Sequence, residues 1–436
     1  SRSLTLEEEN CFVGIVIEKI DMFFIGAVIG LLTTQSCLAS TQGDAGKLDH
    51  GIFEWIHSSE GGYYNPKQEF RHGNPDDLSS LVGVFANERI EKGDLLCKVP
   101  WDRILFDEDE CGTATMLAQA MRDGEKSDFA PYALYLGAQR RGQLPTAWSD
   151  AGQDLLDVVQ GIDSNDIPRI PPSNTFGIAD EWLEDCARWG SYIYDELWLH
   201  AALLCHQRAD DYIMIPAYDM YNHRNGNWTN AATYWKHGEP HVTRASRTIE
   251  AGEQIYISYD KCPECGGRAK PGSYGTAQFI RDYGFVEVMP QRWVFLNGRI
   301  VFDMYEKDPG MYKLEWHFAP EENKMESAKK WLQKEVIRLT RWKESMNENE
   351  EIKKEVNNLV PPQELYVIFA FCDANILAMK TALQSLEEGV YADEEEDDEE
   401  EDDDKDDIDD DEELQEEEEE EEEEVAMIKE EEEEEE

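Results

Sequence analysis

Residues 215–223 read Ile-Pro-Ala-Tyr-Asp-Met-Tyr-Asn-His, and residues 252–259 read Gly-Glu-Gln-Ile-Tyr-Ile-Ser-Tyr. The second stretch alternates in the manner of a half-buried strand. On its own, the Asn222-His223 pair would be a turn with a surface histidine, and Tyr259 a strand tyrosine packing a core. Two further pieces flank them. Upstream stand Leu81-Val82-Gly83-Val84-Phe85-Ala86, Ile90, Gly93 and Val99-Pro100; downstream stands Tyr283-Gly284-Phe285-Val286. A P-loop and a Rossmann glycine fingerprint are both missing.

Outward from these pieces, short strand-like runs enclose a helical block. Leu48, Ile52, Trp55 and Ile56 share a helical face. Residues 81–100 alternate around Glu91-Lys92-Gly93-Asp94, which predicts a hairpin-like unit. Residues 105–208 carry helical spacing, with loops near Pro145 and Pro171-Pro172. Strand patterns return at 212–220, 232–236, 241–246 and 254–260. From about 312 to 388 the spacing predicts long helices, the first beginning near Trp316. This order gives an α+β class rather than a parallel α/β sheet.

Taken together, the four pieces resemble the SET-domain protein methyltransferases, in particular the subfamily of the Rubisco large-subunit lysine methyltransferase. Its motifs look like G-x-G-(L/V)-x-A with a later G-(D/E) turn and V-P, then D-x-x-N-H, then G-E-(Q/E)-(I/V)-x-(I/V)-S-Y-G, then Y-G-F. The order and spacing match over about residues 48–290. The resemblance implies a SET-type fold of short β-sheets over 48–290, with a helical insert at about 105–208. A mainly helical C-terminal domain would follow at 291–391. It implies S-adenosyl-L-methionine as cofactor and a protein lysine, or a histidine, as methyl acceptor. By resemblance Tyr259 is the catalytic tyrosine between methyl and acceptor. Asn222 and His223 would contact the amino-acid portion and adenine, and Asp219 would brace their turn. Backbone at Ser80 and Val82 would meet the cofactor, Gly83 would permit close approach, and Phe285 would pack on the adenine side. Tyr234 and Tyr283 would wall the acceptor channel.

The chain departs from that pattern at three points. Ser80-Leu81 stands where relatives carry an acidic residue and a glycine. Asp260 follows Tyr259 in place of glycine. The subfamily has an arginine on the helix before D-x-x-N-H, whereas residues 199–206 here hold none; Arg208 comes later, and His200 and His206 are the nearby substitutes. The long insert between Tyr259 and Tyr283 contains Cys262-Pro263-Glu264-Cys265, which is half a zinc knuckle, a local disulfide or a glycine-rich turn with two thiols. No second pair accompanies it, and no metal is expected.

Charge limits the partners. The net charge is −56, of which −33 falls in residues 393–436, leaving −23 on the first 392. The acidic stretch from 392 is low in complexity and self-repelling, so a disordered tail is expected. Direct nucleic-acid binding is not expected, since that mode needs a basic surface; a basic protein substrate fits better. Residues 22–39 read as a signal peptide. Their apolar core, Met22–Leu32, is too short to span a bilayer, and Cys37 and Ala39 give small residues before a cleavage point. The destination is then the secretory route or, in an organism with complex plastids, a plastid; without that segment it is cytoplasm or nucleus. Asn227-Trp228-Thr229 is a glycosylation triplet. Two functions fit the residues. One is a methyltransferase. The alternative is a catalytically degenerate SET-fold binding module whose acidic tail takes basic partners.

Overall fold

The computed structural model describes residues 50–74, 81–162, 168–172, 175–187, 195–234, 236–259 and 274–390. The expected signal peptide, Ser80, the Cys262 and Cys265 pair and the acidic tail lie outside these residues.

The first helix, α1 (Ile52–His57), buries Ile52 and Ile56 one turn apart, as its spacing predicts. Four strands follow: β1 (Tyr63–Tyr64), β2 (Gln68–His72), β3 (Val82–Ala86) and β4 (Leu95–Val99). The expected hairpin over 81–100 does not form. Strand β3 pairs antiparallel with β2, whereas β4 pairs with β1 and with β7 (His241–Ala245). The apolar alternation gave each strand a buried face but did not say which partner satisfies its hydrogen bonds. Together β1, β4, β7 and β6 (Ala231–Tyr234) form one sheet in the order β1-β4-β7-β6.

The helical block is built from α2 (Glu110–Asp123), α3 (Ala130–Gly137), α4 (Asp150–Gln160), α5 (Ile178–Asp185) and α6 (Glu196–Arg208). Asp109, Ser149 and Asp195 cap α2, α4 and α6 with side-chain oxygens on orphan amides. A disulfide joins Cys111, in the first turn of α2, to Cys186 at the end of α5. The strand expected over 212–220 is reduced to single bridges, Leu105 with Met214 and Asp210 with Ile213, before a 3-10 turn at Tyr218–Met220. Pro216 removes a donor there, and Ala217 takes a left-handed φ of 66°, so a ladder cannot continue.

Past α7 (Thr276–Asp282) the chain forms an antiparallel sheet of β9 (Gln291–Phe295), β10 (Ile300–Asp308) and β11 (Met311–Phe318). Trp316 is therefore in a strand, and the helix expected from it starts only at Met325. Tyr312, Leu314, Trp316 and Phe318, large apolar residues at every second position, fit the pleat better than a helix. Helices α8 (Met325–Glu348), α9 (Glu350–Leu359) and α10 (Pro362–Glu388) complete the described chain. By length and composition α10 could cross a membrane. Here Ile368, Phe371, Cys372, Ala378, Met379 and Ala382 face a core, which accounts for its apolar stretch.

Two hydrophobic cores result. The first gathers β1, β3, β4, α1–α3, α6 and the turn before Asn222. The second joins α8 and α10 to β9 and β10, and also draws in Leu156 and Val159 from α4 and Ala277 and Ile280 from α7. So part of the insert packs with the C-terminal helices. Both ends of α4 are held by them. Glu364 of α10 accepts from Ser149 N and Oγ at its N-terminus, and Arg338 of α8 donates to Val158 O (2.6 Å) and Val159 O (2.8 Å) at its C-terminus. An acid at the start and a base at the end complement the helix dipole.

His241, at the start of β7, is fully buried with neither ring nitrogen hydrogen-bonded among the described residues. Burial pulls its pKa down to about 4, and Asp210 opposes this only in part. The unfolded chain would bind a proton near 6.5 and the folded one would not, so protons favour unfolding between those values. Stability is expected to be full above pH 6.5 and to fall by roughly 3 kcal/mol as pH drops through 4. Denaturant titrations at pH 7.5 and 4.5 should show a smaller difference in His241→Phe than in the parent.

Candidate active site

Three strands bring the separated motifs to one place. Strands β5 (Asn222–His223) and β8 (Tyr256–Ile257) pair in parallel, Asn222 opposite Tyr256 and His223 opposite Ile257. Strand β3 joins them from the other side of β8: Ile255 N donates to Val84 O (2.8 Å), and Phe85 bridges Gln254. Asn230 holds this turn, its amide donating to Gln254 O (2.9 Å) and accepting from Tyr256 N (2.8 Å).

Asn222 Nδ2 donates to Val82 O at 2.9 Å. Its Oδ1 takes no hydrogen bond among the described residues. Gly83 makes that approach feasible. A Cβ there would lie 2.2 Å from Gln254 Nε2 and 2.7 Å from Asn222 Nδ2.

The His223 ring turns inward. Its Nδ1 accepts from Tyr259 N (3.0 Å), and its Nε2 faces Glu287 Oε2 at 2.9 Å. A nitrogen that accepts from a backbone amide carries no proton, so the proton sits on Nε2 and is donated to Glu287. Glu287 also accepts from Asn225 Nδ2 (3.1 Å) and from the Thr276 hydroxyl. With both nitrogens engaged and the side chain 1% exposed, the ring sets the position of Tyr259. Both polar atoms of the ring are thus engaged within the protein, and the His223 backbone lies in β5 opposite Ile257.

Tyr259 leaves β8 with its hydroxyl donating to Tyr221 O at 2.8 Å. Its ring lies 5.1 Å from Tyr283 and 5.2 Å from His223. Phe279 of α7 fills the layer beneath, 4.5 Å from His223, and Phe285 lies 5.6 Å from Phe279. Gly284 permits the intervening bend: its φ is 76°, and a Cβ would meet Gln143 O at 2.1 Å. Burial pushes the Tyr259 phenol well above its usual pKa, and the nearby Arg208 only partly opposes this. The hydroxyl is therefore protonated at neutral pH.

Beneath Tyr259 lies a charged pair. Arg208, the last residue of α6, donates from Nη1 to Asp219 O (3.0 Å) and to Asp219 Oδ2 (3.3 Å). Tyr132 OH donates to the same Oδ2 at 3.0 Å, while Oδ1 is buried without a partner among the described residues. Burial raises the Asp219 carboxyl above the ordinary range against the pull of Arg208. Burial also disfavours the Arg208 charge, but Tyr135, Asp219 and Tyr259 outweigh it and hold the guanidinium above its usual value.

The structure thus brings Val82, Gly83, Asp219, Asn222, His223, Tyr259, Tyr283 and Phe285 together. Tyr234 is not among them: it sits in the edge strand β6 and is 66% exposed. The two histidines of α6, the nearby substitutes for the missing arginine, sit in different surroundings. His200 is buried with Nε2 unpaired among the described residues, and His206 faces Asp282 at 3.3 Å. Arg208, two positions beyond the stretch where an arginine was sought, is the α6 cation that pairs with Asp219 beside Tyr259. Sequence reading also passed over Glu287, Asn225, Asn230 and Tyr132. Each acts through a contact 24 or more residues away in sequence, as Asn230 with Gln254, Asn225 and His223 with Glu287, and Tyr132 with Asp219, and no local spacing marks such contacts.

Residues 82–260 match the family model of the SET domain. No curated protein matches the chain. Among solved structures, Rubisco LSMT bound to AdoMet is 13% identical, covering 79% of this chain and 94% of that chain at a TM-score of 0.44. Rubisco LSMT bound to sinefungin and monomethyllysine is 13% identical, with coverages of 78% and 93% and a TM-score of 0.42. The SET domain of LSMT bound to lysine and AdoHcy is 12% identical, with coverages of 78% and 92% and a TM-score of 0.43. The fold is the expected α+β class, a SET-type arrangement of short sheets with a helical C-terminal region.

Proposed function

We propose that this chain, with a SET domain over residues 82–260, is an S-adenosyl-L-methionine-dependent methyltransferase acting on a protein lysine. The observation that carries this reading is the convergence of Gly83, Asn222 and Tyr259, from three distant stretches, around the parallel β5–β8 pair.

The residues suit the cofactor. Asn222 Oδ1 is an acceptor with no partner among the described residues, fitted to an ammonium group, and the side chain is anchored through Nδ2. Gly83 lets the Asn222 side chain close on β3 and so fixes that acceptor, and Phe285 offers an apolar ring. When bound, S-adenosylmethionine supplies a methyl group on a positively charged sulfur leaving group.

The chain's own work is then mainly alignment. Tyr259 holds its hydroxyl at a defined point because its amide is tied to His223 and its oxygen to Tyr221 O. That oxygen has a lone pair for an incoming amine or for the polarised methyl hydrogens. It is not a general base, since burial keeps it protonated. The aromatic layer of Tyr259, Phe279, Tyr283 and Phe285 excludes water and favours a neutral lysine amine, whose charge burial disfavours. An acidic body and tail attract a basic protein substrate.

Calorimetric titration of the full chain with S-adenosylmethionine tests the reading. Micromolar binding is expected, weakened about tenfold by Asn222→Ala, the loss of one charge-assisted hydrogen bond. No binding by a folded parent would overturn the reading. Gly83→Ala should weaken binding by a similar factor of about ten, since the new methyl must push Asn222 off Val82 O. Its melting temperature, measured alongside, separates this from unfolding.

A further inference from the structure

We propose that Asn227 is an N-glycosylation acceptor and that the chain matures in an oxidising compartment of the secretory route. The acceptor lies in the turn between β5 and β6. Asn227 lies in the 3-10 turn Gly226–Trp228, is exposed, and its side-chain amide makes no hydrogen bond among the described residues. The inner side of that turn is closed: at Gly226, whose φ is 62°, a Cβ would meet Pro290 Cγ at 2.8 Å. The remaining contacts hold the turn in place. Thr229 Oγ1 donates to Arg224 O (2.5 Å), the Arg224 guanidinium lies 3.6 Å from the Trp228 ring centre, and Arg247 Nε donates to Asn227 O (3.3 Å). The turn's own packing therefore presents the asparagine outward, with the threonine two residues on that the triplet requires.

The second observation is independent and lies in the helical insert. The Cys111–Cys186 disulfide closes a span of 75 residues with the two Cα atoms 5.5 Å apart. Such bonds persist in oxidising compartments and are rare in the cytosol. The free cysteines among the described residues, Cys97, Cys205 and Cys372, are all buried. Burial pushes the thiols of Cys97 and Cys372 up to about 11 and about 12, so neither competes for exchange with the Cys111–Cys186 pair. The sequence adds the apolar core Met22–Leu32 and the small residues Cys37 and Ala39, the grammar of an entry signal.

The chemistry needs a lipid-pyrophosphate-linked oligosaccharide as donor. The Asn227 amide nitrogen bonds to the anomeric carbon, the bond from that carbon to the pyrophosphate oxygen breaks, and the amide gives up one proton. The resulting glycan stands beside Trp228, which is 46% exposed and packs over Arg224, the residue directly after His223. The assignment is independent of the methyltransferase reading and survives its failure.

The test uses the full protein isolated from its own source cells. Treatment with peptide N-glycosidase in heavy-oxygen water is expected to lower the mass by one glycan and to convert Asn227 to labelled aspartate. A non-reducing peptide map should show the peptides of Cys111 and Cys186 joined. Returned to those cells, Asn227→Gln and Thr229→Ala should lose the mass shift and Thr229→Ser should keep it. Asn227→Gln changes an exposed side chain, so its loss of the shift is not a loss of folding. An unmodified Asn227 in the isolated protein overturns the glycosylation site, and free thiols at Cys111 and Cys186 overturn the compartment.

Discussion

Tyr259→Phe is expected to lower methyl transfer roughly 10²–10⁴-fold, the range for one positioned acid–base or polarising group, while leaving S-adenosylmethionine affinity within about twofold. The split follows from the geometry. The amide of Tyr259, not its hydroxyl, is tied to His223, and its ring packs on Tyr283. Phenylalanine keeps both. What disappears is the hydroxyl, whose described partner is the Tyr221 carbonyl. Single-turnover assays on a lysine peptide, beside calorimetry on the same preparation, measure the two quantities. Equal losses in rate and cofactor affinity would mean that the side chain builds the cofactor pocket instead. Unchanged turnover would remove Tyr259 from the chemistry. A protonated phenol also predicts that no step in rate below pH 10 traces to this group, because burial raises its pKa above that value.

Much of this site was legible because its parts are short and local. The pattern Gly-Glu-Gln-Ile-Tyr-Ile-Ser-Tyr puts Ile255 and Ile257 on a buried face, and both are buried. Gly83 and Gly284 occupy points where a side chain would collide with Gln254 or with the Gln143 carbonyl. What escaped the sequence was partner choice. The alternation at 81–100 is real, yet β3 and β4 belong to different sheets, because period alone does not select a hydrogen-bonding neighbour. The helical spacing of 150–160 was legible, but not its burial among α8 and α10. That placement depends on Glu364 and Arg338, about 180 residues or more away. The inward turn of the His223 ring escaped for a similar reason, since Glu287 engages it from a loop 64 residues later.

Arg208 tests the same lesson energetically. Replacing it with methionine should destabilise the chain by about 3–5 kcal/mol, the usual effect of leaving one member of a buried ion pair without its partner. The Asp219 side chain is 1% exposed, and Tyr132 supplies a single hydrogen bond to it. Burial already pushes that carboxyl toward its neutral form, so the variant should take up a proton at Asp219 rather than keep an isolated charge. Two outcomes follow. First, the loss should shrink at low pH, where protonation is supplied by solvent, and grow toward pH 8. Second, Asp219→Asn should recover a large part of it, because an amide needs no counter-charge. Denaturant titrations of the two single variants and the double one provide the cycle. Simple additivity would mean that the pair is energetically uncoupled and that Arg208 acts only by packing on Tyr135. A large coupling would make the pair the support of the 3-10 turn at Tyr218–Met220. Asn222 is placed directly beyond that turn, so an arginine outside the expected helical position would still govern where the motif residue stands.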